Sequence, residues 1–162
     1  MRIYICRHAQ AVPTAVSGRD LDRPLTRHGQ LQARYLASVL GDARGPERPR
    51  GVLASPAART QETAQSIADE LGFQVATHQE LAPDQPPGVL LDLIDAADDL
   101  PVVLVGHNPT VSALVSLLAS GIGPRRVALD TGQMAVLRFD GELAPGEGEL
   151  VAHFRYDAVH SH

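Results

Sequence analysis

Three short segments of this chain carry side chains suited to holding and attacking an anion. They are Arg7-His8, the run from Ser55-Pro56 to Arg59, and Gly106-His107-Asn108. Arginine grips oxyanions through a planar, permanently charged fork, and a neutral imidazole offers a lone pair that can attack phosphorus. Phosphoryl transfer needs both parts, because three peripheral oxygens must be held and neutralised while a nucleophile is placed in line with the leaving group. His8 therefore reads as the nucleophile, forming a phosphohistidine that water then hydrolyses. His107 reads as a phosphate ligand and transition-state donor, aided by backbone N–H groups at the start of the helix it precedes. Arg23 adds a further cation from the loop between Ala9 and Leu25, which is longer than a structural connection requires.

The elements that must position these groups follow from periodicity. Ile3 to Cys6, Val52 to Ala54 and Val102 to Val105 are short, continuously apolar, β-rich runs, as expected for strands covered on both faces. Helical patterns lie between them. Thr26 is expected to open the first helix, which runs to about Leu40. The second is expected to have Ser55 at N-cap and Pro56 at N1, with Thr60, Ala64, Ile67, Ala68 and Leu71 on one face and Gly72 as its stop. A third spans about Gly88 to Ala97. A fourth repeats the arrangement of the second, with Asn108 at N-cap and Pro109 at N1, Val111, Leu114, Val115 and Leu118 on one stripe and Gly121 beyond. Met134 to Phe139 and Leu150 to Phe154 read as a late β pair. Strands alternating with helices predict a three-layer α/β/α sandwich with a mostly parallel central sheet and an antiparallel edge strand. The ligand crevice of such a sheet lies beyond the carboxyl ends of its parallel strands, where the Arg and His residues fall.

Composition narrows the function. The 162 residues fit one domain, 1–162, without repeats or low-complexity blocks. A net charge of −5 argues against nucleic acid or an anionic membrane as partner, so any anion site must be a local cluster of Arg. One cysteine, no signal-like segment and no long apolar span give a cytoplasmic expectation. Cys6 does not open a Cys-x5-Arg phosphatase loop, because Val12 stands where that Arg would be. It is expected to pack as a small apolar group. The seven histidines contain no i, i+4 pair of the kind that holds zinc, so neither metal nor cofactor is expected, and His160 and His162 fall in the tail. Asp92, Asp95, Asp98 and Asp99 read as a solvated face.

Taken together, Arg7-His8-Ala9, Arg23-Pro24-Leu25-Thr26, Ser55-Pro56-Ala57-Ala58-Arg59-Thr60 and Gly106-His107-Asn108-Pro109 resemble the histidine phosphatase superfamily. Within it they are most similar to the short SixA-type phosphohistidine phosphatases. The resemblance implies His8 as nucleophile, Arg7, Arg59 and His107 as the phosphate pocket, and Arg23 as an additional phosphate-side Arg. It also implies the superfamily's α/β sandwich without the insertions that cap the pocket in its sugar-phosphate mutases and phytases. No residue matches the carboxylic acid that larger members use to protonate an alkoxide. Glu80 is the nearest candidate general acid by order, with Asp20 and Asp22 as weaker ones. A protonated imidazole leaves more easily than an alkoxide, so a site without a strong acid favours phosphohistidine. The expected partner is then a phosphorylated protein, such as a histidine-phosphotransfer domain. The alternatives are a phosphatase for small phosphate esters or other phosphoproteins, and a non-catalytic phosphate-binding module.

Overall fold

The computed structural model describes residues 1–97, 100–119 and 127–157. Six strands form one sheet: β1 (Arg2–Arg7), β2 (Gly51–Ala54), β3 (Val75–Thr77), β4 (Val102–Gly106), β5 (Gln133–Arg138) and β6 (Glu149–Arg155). Their spatial order is β3-β2-β4-β1-β5-β6. The first four run parallel, while β5 is antiparallel to both β1 and β6. Helices α1 (Arg27–Gly41), α2 (Ala58–Leu71), α3 (Pro87–Asp95) and α4 (Thr110–Leu118) complete the layers.

The period of two along each strand builds two cores. Ile3 and Ile5 of β1 and Val102 and Leu104 of β4 pack with Leu90, Ile94, Leu114 and Leu118 of α3 and α4. On the other face, Tyr4, Cys6, Val103 and Val105 pack with Leu36, Leu40, Ala64 and Ile67 of α1 and α2. Each fully buried Leu or Ile contributes about 1.5–3 kcal/mol, so both faces are held firmly to the sheet. Cys6 is fully buried in this aliphatic setting, and burial raises its thiol far above the usual range.

The first helix opens as its sequence implies, with the Thr26 hydroxyl accepting the Gly29 N–H at 2.9 Å. The second helix stops at Gly72, whose φ of 82° is the left-handed conformation that favours glycine. Its beginning differs from expectation: Ala57, not Ser55, is the N-cap, and Pro56 lies before the helix. The Ser55 hydroxyl accepts the Ala57 N–H at 3.1 Å, a tight turn that postpones the helix. At α4 the cap is Pro109 rather than Asn108, because the Asn108 amide donates to the Leu129 carbonyl at 2.8 Å and accepts from Ser112. Gly121, Asp98, Asp99, His160 and His162 lie outside the described residues, while Asp92 and Asp95 are exposed.

Strand β3 is too short and too exposed for its periodicity to announce it. Single-turn 3-10 helices at Asp20–Asp22, Gly45–Glu47 and Gln79–Leu81 are likewise features of the packed chain. Among the described residues no helix is long and apolar enough to cross a membrane.

The sheet order decides where a ligand can bind. β4 is inserted between β2 and β1, and the connection leaving β1 packs on one face while the helix leaving β4 packs on the other. Their carboxyl ends therefore diverge around a crevice at the switch point.

Candidate active site

Register brings the two histidines together. Arg7 pairs with Gly106 across β1 and β4, so His8 and His107 leave neighbouring strand ends side by side. Their ring centroids lie 5.3 Å apart at an interplanar angle of 56°. Both side chains are buried, as is Arg59, which projects from the first turn of α2.

The proton positions on His8 follow from its partner. His8 Nδ1 lies 2.7 Å from the Ala9 carbonyl oxygen, which can only accept, so Nδ1 carries the hydrogen. Burial pushes the ring down to about 4 from its ordinary 6.5; the Ala9 contact opposes this, while Arg59, Arg7 and Arg23 reinforce it. At neutral pH His8 is uncharged and its Nε2 keeps a lone pair. His107 is driven down to about 3, first by burial and then by Arg59 and His8. Its Nε2 lies 2.8 Å from the Ser55 hydroxyl, and its buried Nδ1 has no hydrogen-bond partner among the described residues. A polar atom left so is poised for a ligand, since an unpaired buried group otherwise costs stability.

The arginines surround this pair. Arg59 donates to the Asp20 backbone carbonyl at 3.0 Å and to its carboxylate at 3.1 Å, and its buried Nε has no partner among the described residues. Arg23 reaches the other Asp20 oxygen at 3.0 Å and also the Val12 carbonyl. Arg7 donates to the Leu129 carbonyl at 3.2 Å, and its Nε is a second buried donor without a partner among the described residues. Beyond Arg7 opens a polar cleft of about 560 Å³, with His28, Asp130 and Arg155 in its walls. The Glu80 carboxylate lies 3.7 Å from His78 Nδ1. Asp22 accepts from the Ser17 hydroxyl and faces Arg19. Among the described residues no cluster of three or more His, Cys, Asp or Glu is arranged to hold a metal.

Asp20 has a role that its place in the sequence does not suggest. It bridges Arg59 and Arg23. Burial works to raise its carboxyl, but Arg59 and Arg23 outweigh burial and hold it below the usual carboxylate range. Ser55 and Thr63 also escape a sequence reading. Ser55 reads as a helix cap yet serves His107, and Thr63 accepts the Ala9 N–H at 3.0 Å. The signal for Thr63 is its spacing: four residues beyond Arg59, it shares that residue's face of α2.

With two neutral imidazoles, one bearing a free lone pair, and three guanidiniums nearby, this crevice can bind a tetrahedral oxyanion and attack it. Residues 3–82 match the model of the histidine phosphatase superfamily (branch 1). A protein of Agrobacterium tumefaciens assigned as the phosphohistidine phosphatase SixA is 30% identical, with a TM-score of 0.77 over 94% of this chain and 96% of that one. The protein histidine phosphatase SixA complexed with tungstate is 27% identical, with a TM-score of 0.78 over 96% and 97% of the two chains. An uncharacterised protein of Picosynechococcus sp. is 34% identical over 125 residues, covering 75% of this chain and 74% of its own.

Proposed function

Since the chain belongs to the histidine phosphatase superfamily and is a phosphatase, we propose that it hydrolyses phosphohistidine in a protein partner through a phosphoryl intermediate on His8. The observation that carries this reading is the uncharged His8 ring, protonated on Nδ1 and bare on Nε2, among three arginines. Nε2 attacks phosphorus as the bond to the leaving imidazole breaks; that imidazole, already protonated on its other nitrogen, takes the bonding pair and departs as a neutral ring, so no acid is needed. Water then attacks the phosphoryl group on His8, which returns as a neutral ring while inorganic phosphate leaves. Arg7, Arg23 and Arg59 hold the peripheral oxygens throughout, and His107 serves as a further ligand through Nδ1, which has no hydrogen-bond partner among the described residues.

The choice of leaving group rests on Asp20. Held ionised by Arg59 and Arg23, it has no proton to give an alkoxide at neutral pH. An imidazole leaving group places the smallest demand on such a site. A second reading, hydrolysis of small phosphate esters, requires a carboxyl at the site to be protonated, and Asp20, which pairs with Arg59 and Arg23, is the carboxylate whose removal tests it.

The test is a phosphorylated histidine-phosphotransfer protein with labelled phosphate, incubated in EDTA and quenched rapidly. An acid-labile, base-stable adduct that is absent from His8→Ala supports the mechanism and excludes a pure binder. Release equal to that of His8→Ala would overturn it. Faster turnover of alkyl phosphates than of phosphohistidine, lost in Asp20→Asn, would favour the ester reading.

A further inference from the structure

The nucleophile depends on which nitrogen of His8 holds the proton, and that is decided by the orientation of one peptide plane. The Ala9 carbonyl that accepts from Nδ1 belongs to the Ala9–Gln10 peptide. The N–H at the far side of that plane donates to Gln32 Oε1 at 2.8 Å. In a trans peptide the C=O and N–H point in opposite directions, so an acceptor on the N–H side fixes where the carbonyl aims. It also polarises the carbonyl as an acceptor. Gln32 is buried on α1, and its amide is unambiguous: Oε1 must face the Gln10 N–H, and Nε2 donates to the Thr131 carbonyl at 3.1 Å. The next residue, Gly132, donates its N–H to the His8 carbonyl at 2.9 Å. A Cβ on Gly132 would stand 2.7 Å from the Gln32 amide carbon, and its φ of 68° favours glycine. Both sides of His8 are thus tied through one buried amide.

From this geometry we infer that Gln32 is a positioning residue, holding the Ala9–Gln10 peptide so that His8 keeps its proton on Nδ1 and presents a bare Nε2 to phosphorus. This rests on the proposed role of His8 as nucleophile. Gln32 touches no reacting atom. Thr63 steadies the preceding peptide through the Ala9 N–H, whereas Gln32 governs the plane that carries the accepting carbonyl.

Imidazole nitrogen NMR of the free protein tests the inference before any substrate is added. In the wild type His8 is expected as the Nδ1–H tautomer. In Gln32→Met, of similar length but without the amide, an Nε2–H population should appear and the first phosphoryl transfer should slow roughly tenfold to hundredfold, with KM nearly unchanged. Gln32→Glu keeps an acceptor for Gln10 and should retain the Nδ1–H tautomer while losing only the Thr131 contact. A wild-type His8 protonated on Nε2 would overturn the inference outright, even if Gln32→Met failed to fold. So would a folded Gln32→Met with unchanged tautomer and rate, or a Gln32→Glu as altered as Gln32→Met. A wild type that turned over no phosphohistidine would count against the proposed function, and the tautomer results would still decide the role of Gln32.

Discussion

Acidification offers a direct test of how His8 is held. A histidine at its ordinary 6.5 is about 97% protonated at pH 5, which would cut a rate needing the neutral ring roughly thirtyfold. With its midpoint depressed to about 4, His8 is only about 10% protonated there, so the rate should be almost flat from pH 7.5 to 5. The stability consequence has a defined sign. Both rings titrate lower when folded than when unfolded, so the unfolded chain binds more protons between about 6.5 and these depressed midpoints. Their contribution is undiminished above that window and drains away as pH falls through it. By pH 5 the loss is on the order of 2 kcal/mol from each ring. That is a large share of the 5–15 kcal/mol of a typical domain, so circular dichroism must accompany each rate. The assay combines imidazole nitrogen NMR, with His107→Asn to separate the two rings, and kcat/KM corrected for the substrate's own titration. A His8 midpoint between 6 and 7, or a thirtyfold fall at pH 5 in folded protein, would refute the reasoning that burial and the arginines keep the ring neutral.

Two further outcomes bear on the arginines. Arg59→Ala is expected to weaken vanadate or phosphate binding roughly tenfold to hundredfold by calorimetry and to move the His8 midpoint upward, since Arg59 is the largest of the charges lowering it. Unchanged affinity would remove Arg59 from the site. Asp20→Asn should tighten phosphate roughly twofold to fivefold, the modest gain expected when an exposed carboxylate stops competing for two guanidiniums. Weaker binding would instead make Asp20 an organiser of Arg59 and Arg23.

Much of the architecture lay open in local pattern. The apolar runs of β1, β2 and β4 match buried strands because parallel strands covered on both faces need continuous apolar stretches. Thr26 and Gly72 mark their helix ends because capping is chemistry between neighbours in sequence. Ser55 and Asn108 were misleading for a related reason. Each has the composition of a cap, but tertiary partners, His107 for one and Leu129 for the other, engage their side chains. Strand β3 pairs with β2 over only three residues, and so brief an alternation leaves no periodic trace.

What the sequence by itself determined is the inventory: two histidines and two arginines at or just beyond strand ends, a third arginine in a long loop, and an alternation of strands and helices that sends those ends to one edge. Only the tertiary structure decided how they meet. The insertion of β4 beside β1 sets His107 against His8, and the folding of the long loop lays Asp20 across Arg59 and Arg23. Burial makes both rings neutral, and the Ala9 carbonyl chooses the nitrogen that keeps its proton. The physical reason is that strand pairing, desolvation and the field of distant charges depend on neighbours in space. Capping and hydrophobic periodicity depend on neighbours along the chain.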